Sequence, residues 1–463
     1  MKIMHVSLGL PPLRTGGLTK YSMDLMLTQQ RMDQEISLLY PGHYTLQRNL
    51  HIQKNDSFHD IEVYEIVNPL PVSLLGGVKK PEEFMKLGNR EPYERLLYKV
   101  KPDIIHMHTF MGIHKQFLEV AKELGIKIVF TSHDYFGICP KVNLLNHEGK
   151  ACESFQYGQA CIACNQNGYS SGMMYMMQSR VYRRFKNSHI VKHLRKKIKQ
   201  RVHPAENGIP DGLKSNSSNP VLASLYAELR NYYLEMYSLI DRIHFNSSIS
   251  QQEYSKYISN QGDIISLRHR NMKDRRSIKP FQKDHQPLRL TYLGPVDVYK
   301  GFFLLKDSLD LLESWGISSW HLNVYGDATL SDEDYNVDRY TFHGRYEYED
   351  LAAIFNHTDL LIIPSIWKET FGFIGMEALA YGVPILITDQ VGFKDLIHDG
   401  LTGFIAAPEV NDLASRMRYI LENRRRLEEI NQNIIAMEID FSMEQHTKDL
   451  IQWYSTVREE VRI

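Results

Sequence analysis

Short apolar runs and amphipathic stretches alternate along most of this chain. "KIMHVSLGL" is an apolar run that stops at the turn residues "PPLRTGG", which predicts a buried strand. "LTKYSMDLMLTQQ" then carries apolar residues at helical spacing, and "ISLLYPG" predicts a second strand. "PDIIHMHTF", "HKQFLEVAKELG" and "KIVFTSHDY" continue the series as strand, helix and strand. The strands are continuously apolar rather than alternating, as in a parallel sheet covered on both faces. The order lapses from residue 139 to about 235 and returns with "SLIDRIHFNSS".

A second series starts with the strand "LRLTYLG" and the helix "KGFFLLKDSLDLLESWG", which ends on Gly316, a favoured capping residue. "WHLNVYGD", "YTFHGRY", "DLLIIPS" and "VPILITD" predict further strands. "DLASRMRYILENRRRLEEINQNI" reads as one charged amphipathic helix. Between the series, "RHRNMKDRRSIKPFQKDHQP" is polar, basic and bounded by proline, as a linker is. The expectation is an α/β chain with an N-terminal domain over 1–270, interrupted by an insert at about 139–235, a second domain over 271–440 and a terminal segment over 441–463.

Composition narrows this picture only a little. At 463 residues the chain is too long for one core. Its 43% hydrophobic and 24% charged residues are those of an ordinary soluble protein, and a formal charge of −1 selects no partner. The start lacks a secretory pattern, no apolar run is long enough to span a bilayer, and four cysteines do not make a disulfide scaffold. These absences favour a cytoplasmic location.

In open α/β sheets, ligands bind beyond the carboxyl ends of the strands, so the residues just after each strand carry the candidate chemistry. Gly16 and Gly17 in "TGGLTKY" permit a tight turn into a helix start that offers free N–H groups to a phosphate. An ordinary glycine turn has the same residues. The dinucleotide spacing G-x-G-x-x-G is absent, and "LLYPG" lacks the acid that would hold the ribose of NAD. His133 and Asp134 follow "KIVFTS", where an imidazole can bond a hydroxyl or a phosphate or serve structure alone. Lys300, beside Gly301, offers a cation for a leaving phosphate, or is a surface lysine. "KETFGFIGMEALAYG" is expected to set Glu369 in a loop and Glu377 within the helix that follows, and the N–H groups around Gly372, Phe373 and Ile374, at the start of that helix, would have no partner inside it. The pattern suits a diphosphate with hydroxyls on either side.

These residues, with "KPDIIHMH", "PSIWKETFGFIGMEALAYGVPILITD" and "GLTGFIAAP", make the chain similar to the retaining GT-B-fold glycosyltransferases of family 4, the glycosyl transferases group 1. The run from Pro364 to Asp389 resembles that family's E-x7-E motif and is the most specific part. The resemblance implies a GT-B fold, with two Rossmann-like domains whose parallel sheets face each other across a cleft. The first would bind an acceptor, the second a nucleotide-sugar, and the last helix would cross back to the first. It implies that Glu369, His133 and Lys300 act in catalysis. Glu369 would also meet the sugar hydroxyls and Glu377 the ribose. Gly17, Lys300, Gly372 and Phe373 would hold the diphosphate, with Gly16, Gly294, Gly344, Arg345, Thr370 and Phe371 completing the donor site. No metal is implied for catalysis, and the anomeric configuration is kept. The expected reaction carries a hexosyl unit from a UDP- or GDP-sugar to a glycan or lipid-linked saccharide, in polysaccharide or cell-envelope glycan synthesis. Pro295 stands where the family has an arginine, and Arg345 is the candidate replacement. Two rivals follow: a non-catalytic GT-B-like nucleotide-binding or partner subunit, and a phosphorylase-like enzyme that would need a pyridoxal lysine.

Within the insert, Cys139, Cys152, Cys161 and Cys164 are all of the chain's cysteines. Four thiolates suit a structural zinc, while buried thiols or a redox pair are the plainer readings. Residues 180–201 are rich in Lys and Arg and hold no acid, and "MMYMM" precedes them. Residues 173–201 are therefore a candidate contact with an anionic membrane at its inner face. A solvated helix facing acids of the same protein fits equally, and nucleic acid is not an expected partner.

Overall fold

In the computed structural model the described residues are 1–47, 49–73, 77–185, 219–283, 285–327, 335 and 338–459. They form two units. The first comprises Met1–Asn246, Gln251–Arg270 and Met443–Ile463, the second Ser247–Ser250 and Asn271–Ser442.

The first unit is built on strands β1 (Lys2–Val6), β2 (Glu35–Pro41), β3 (His51–Lys54), β4 (Glu62–Val67), β5 (Ile104–Met107), β6 (Lys127–Thr131), β7 (Arg242–Phe245) and β8 (Gly262–Ile264). They lie in the order β3-β4-β2-β1-β5-β6-β7-β8, parallel except for the antiparallel edge pair β3 and β4. The central strands are buried on both faces, which is why they read as unbroken apolar runs. β3 and β4 escape the sequence reading. "HIQK" is the polar edge strand, while "EVYEIV", one place further in, is interrupted by two glutamates, of which the buried Glu65 is met by His43 and Arg183.

The second unit holds β9 (Leu288–Leu293), β10 (Trp320–Tyr325), β11 (Tyr340–Gly344), β12 (Leu360–Ile363), β13 (Ile385–Thr388) and β14 (Phe404–Ala406). All are parallel, in the order β11-β10-β9-β12-β13-β14. That is the doubly wound order, whose direction of winding reverses between β9 and β12. In doubly wound sheets ligands bind at such a reversal, beyond the carboxyl ends of the strands.

Two elements differ from expectation. The single helix over 412–434 is two, Val410–Glu422 and Arg425–Ala436. Asn423 leaves helical geometry, and the Arg424 guanidinium bonds the carbonyls of Lys283, Gln286 and Ser319, fixing the corner. The end of the insert is core rather than appendage. The helix Pro220–Ser238 buries Tyr226, Tyr233 and Tyr237. Their hydroxyls donate to the carbonyls of Val78, Phe84 and Phe136 at 2.7, 2.9 and 2.7 Å. A tyrosine whose hydroxyl finds an acceptor buries as well as a phenylalanine, so a polar-looking helix can sit in a core.

Candidate functional site

The switch point of the second sheet positions the site. β9 runs into Gly294–Gly301, and β12 into Pro364–Gly372. A Cβ on Gly301 would lie 1.7 Å from the Pro364 carbonyl oxygen, so the two loops touch backbone to backbone. Only glycine allows that approach, and its φ of 76° excludes most other residues as well. The contact sets Lys300 opposite Glu369.

Lys300 Nζ lies 2.6 Å from Glu369 Oε1. The same oxygen accepts from the Ser365 hydroxyl and, at 3.1 Å, from the Trp367 indole N–H. Lys300 also rests over the Trp367 ring at 5.2 Å. Burial pushes the Glu369 carboxyl up, but Lys300 and the hydrogen bonds outweigh it and hold the group below the usual carboxylate range. Three bonds converge on Oε1. Oε2 lies 3.4 Å from where a Cβ of Gly372 would sit. The backbone of Glu369 is pinned as well, donating to Gln390 O at 2.9 Å and accepting from Gly392 N at 3.0 Å.

Gly372, with a φ of 100°, turns the chain into the helix Phe373–Leu379. The corner is packed from behind. Phe393 N donates to Phe371 O at 2.6 Å, and a Cβ on Gly375 would meet the Phe393 ring at 2.3 Å. Both glycines of "FGFIG" are therefore spent on close approach, since a Cβ on Gly372 would lie 2.8 Å from Val391. The half-buried Glu377 lies within this helix. Burial first, and then the nearby Glu377 charge, raises the phenols of Tyr346 and Tyr348.

The other expected donor residues lie around the ends of β9 to β11. A Cβ on Gly326 would be 1.9 Å from Gly294 O, and Gly326 N bonds Gly344 O at 2.7 Å. Pro295 accepts from the Tyr292 hydroxyl at 2.7 Å. Arg345 forms a forked ion pair with Asp327 at 2.6 and 2.5 Å and remains largely exposed. It approaches the Pro295 loop through Asp327, whose carbonyl accepts from Val296 N at 3.0 Å.

In the first unit, Gly16 is the cap of the helix Gly17–Arg31, with φ at 119°, so this helix start follows β1. His133 follows β6 and is partly buried, and its Nε2 is 3.0 Å from His108 Nδ1. Burial, and then His244, pushes it down to about 3. Asp134 is pushed up to about 6 by burial.

The four cysteines are free thiols. Cys161 and Cys164 stand on the helix Gln159–Cys164, and Cys139 and Cys152 on the loops before it. Burial, and then the neighbouring Cys139, pushes Cys161 up to about 12 and Cys164 up to about 11, so the thiols share one neighbourhood. Among the described residues no three of the sulfurs come within 4.8 Å of one another. Of the basic run, Arg183 pairs with the buried Glu65 at 2.8 Å and Arg180 bonds Gln53 at 3.2 Å. Residues 186–201 lie outside the described residues. No helix among the described residues is long and apolar enough to cross a membrane.

Sequence reasoning missed Ser365, Trp367 and the loop Gln390–Phe393, which hold Glu369 and Gly372 in place. The loop follows β13, where the strand-end rule alone would have found it. Ser365 and Trp367 carry no motif signal of their own, and only the folded loop turns them onto one carboxylate oxygen.

Comparison with known proteins bears on the family and the fold. The family profile Glycosyl transferases group 1 matches residues 273–437, and that of Glycosyltransferase Family 4 matches residues 15–164. Together they take in more than half of the chain. An uncharacterized 41.2 kDa protein of the cps region of Klebsiella pneumoniae is 29% identical over 121 residues, 26% of this chain and 33% of that protein. A D-inositol 3-phosphate glycosyltransferase of Nocardia farcinica is 31% identical over 119 residues, 26% of each chain. The chain thus spans about a third or less of the length of these curated relatives. Among solved structures, HepE of Anabaena in complex with UDP superposes with a TM-score of 0.58 at 14% identity, over 98% of this chain and 100% of that one. Sucrose-phosphate synthase of Thermosynechococcus elongatus gives 0.57 at 14%, over 98% of both chains. At such identities these likenesses speak for the fold. Two parallel-sheet domains of this topology and two matching profiles place the chain in the group 1, family 4 glycosyltransferases of GT-B fold.

Proposed function

We propose that this protein is a retaining hexosyltransferase, moving a sugar from a nucleoside-diphosphate donor to a glycan or lipid-linked saccharide on the cytoplasmic side of a membrane. One observation carries the reading: Glu369 is held charged by Lys300, Ser365 and Trp367 beside the glycine turn at the switch point of the second sheet. The carboxylate suits sugar hydroxyls. Lys300 and the N–H groups at Gly372 and Phe373 suit a departing diphosphate, whose growing charge needs placed donors rather than a strong base. Solved structures of HepE with UDP and with UDP-glucose support a nucleotide-sugar as the donor. The acid-free basic stretch over 180–201 supports a lipid-linked acceptor, although Arg180 and Arg183 at its head are engaged within the first unit.

A thermal-shift panel of UDP-, GDP- and ADP-sugars tests the donor site. One series is expected to raise Tm by several degrees at saturating ligand, as preferential binding to the native state requires. A flat response to all three sinks the assignment. The anomeric configuration of the product, read by NMR, tests retention. Binding without transfer or donor hydrolysis would favour the non-catalytic partner subunit, for which Pro295 is the motive.

We also propose that Cys139, Cys152, Cys161 and Cys164 hold a structural zinc, which would draw four free thiols of one neighbourhood together. Metal analysis of the purified protein should find about one zinc per chain, lost with a lower Tm in Cys161→Ser. A metal-free, equally stable protein rules the site out.

A further inference from the structure

A row of buried histidines runs along the first sheet. His5 stands on β1, His106 on β5, His108 just beyond it and His244 on β7. His5, His106 and His108 each bring a ring nitrogen within 4.8 Å of the others, the spacing of a metal site. Yet all six of their nitrogens are already spent in hydrogen bonds, and those bonds form one unbroken chain.

The direction of the chain follows from its fixed end. His244 Nε2 is 2.7 Å from the carbonyl oxygen of Ile265, which can only accept, so Nε2 carries the proton. The ring is neutral, since burial holds it down to about 4, and Nδ1 is therefore bare. It accepts from the Thr131 hydroxyl at 3.0 Å. The Thr131 oxygen then accepts from His106 Nε2 at 2.6 Å. That leaves His106 Nδ1 to accept from the Tyr454 hydroxyl at 2.7 Å. The Tyr454 oxygen takes the Gln29 amide N–H at 3.2 Å, which turns the amide oxygen toward His5. That oxygen accepts from His5 Nε2 at 2.7 Å. His5 Nδ1 accepts from His108 Nε2 at 2.9 Å, and His108 Nδ1 from His133 Nε2 at 3.0 Å. Burial keeps His5 and His108 neutral too, so no ring can donate from both nitrogens.

We propose that Gln29, Tyr454 and His244 are positioning residues for His133, fixing it as the tautomer with the proton on Nε2 and the lone pair on Nδ1. Such a ring accepts a hydrogen bond from a hydroxyl and cannot serve as a cation for a phosphate. Of the two ligand chemistries that the sequence left open at this histidine, the chain selects the hydroxyl. The assignment to a sugar or acceptor hydroxyl rests on the proposed function. The tautomer itself does not.

The experiment is a long-range proton–nitrogen correlation spectrum of the full chain with labelled histidines, at neutral pH and without ligand. His133, His108, His5, His106 and His244 should each show a protonated Nε2 and a bare Nδ1. Gln29→Met removes both the donor and the acceptor, so His133 should sample both tautomers. Gln29→Glu retains an acceptor facing His5, so His133 should keep its single tautomer. A merely structural role for Gln29 predicts no such difference between the two variants. A wild-type His133 protonated on Nδ1, or one indifferent to Gln29→Met, overturns the proposal. Should Gln29→Met not fold, the wild-type pattern and Tyr454→Phe, expected to release the tautomer in the same way, decide it. Because the ring is read in the free protein, failure of the glycosyltransferase reading would appear separately, in the donor panel.

Discussion

Glu369→Gln is expected to lower transfer by roughly 10²–10³-fold, the size of effect seen when one placed electrostatic group is lost from a reaction centre. The substitution keeps the shape of the side chain and its bonds from Ser365 and Trp367 but removes the charge that holds Lys300. Lys300 is 26% exposed and can turn to water, so the stability cost should stay near about 2 kcal/mol, below that of breaking a fully buried pair. Donor affinity, measured by calorimetry, should change far less than turnover. Variant turnover within a few-fold of wild type would remove Glu369 from the reaction. A loss of folding in place of turnover would make the carboxylate a structural group.

Acid should unfold the first unit over a narrow range. Burial lowers His5 and His244 to about 4 and His133 to about 3, and holds His106, His108 and His446 well below the ordinary value. The native state therefore keeps these rings neutral while the unfolded chain protonates them as pH falls through about 6.5. Above that pH both states are neutral and nothing is lost. Below it the unfolded state binds more protons, so stability falls with pH until the native values are reached. Each ring contributes about 1.4 kcal/mol per pH unit in this window, so the six together lose on the order of 8 kcal/mol for each unit of pH. That rivals the whole stability of a domain, so unfolding should be complete near about pH 5. Hydrogen exchange resolved by segment would show β1, β5, β6 and β7 losing protection before β9 to β14. Protection in the first unit unchanged from pH 7 to pH 4 would contradict the neutral row.

Much of the architecture was legible because parallel strands buried on both faces must be continuously apolar, so "KIMHV", "KIVFT" and "LLII" announce themselves. The edge strand β3 is under no such demand, and β4 interrupts its buried run with Glu62 and Glu65, so both passed unnoticed. Glu369, Gly372 and Glu377 were readable because their spacing is local, spanning one strand-to-helix corner. The two-helix corner at Asn423 and the tyrosine-lined helix Pro220–Ser238 were not. Each depends on distant carbonyls that accept the hydrogen bonds.

The order of elements, the glycines that turn into helix starts and the two carboxylates were determined by the sequence alone, since each expresses a local demand of backbone geometry or burial. Which partners those groups meet was decided only by the tertiary structure. Lys300 reaches Glu369 across 69 positions because Gly301 lets two loops touch. Tyr454 reaches His106 across 348, and Gln29 joins Tyr454 to His5. A hydrogen bond's direction depends on what lies at its far end, and chain separation conceals that until the sheet is folded.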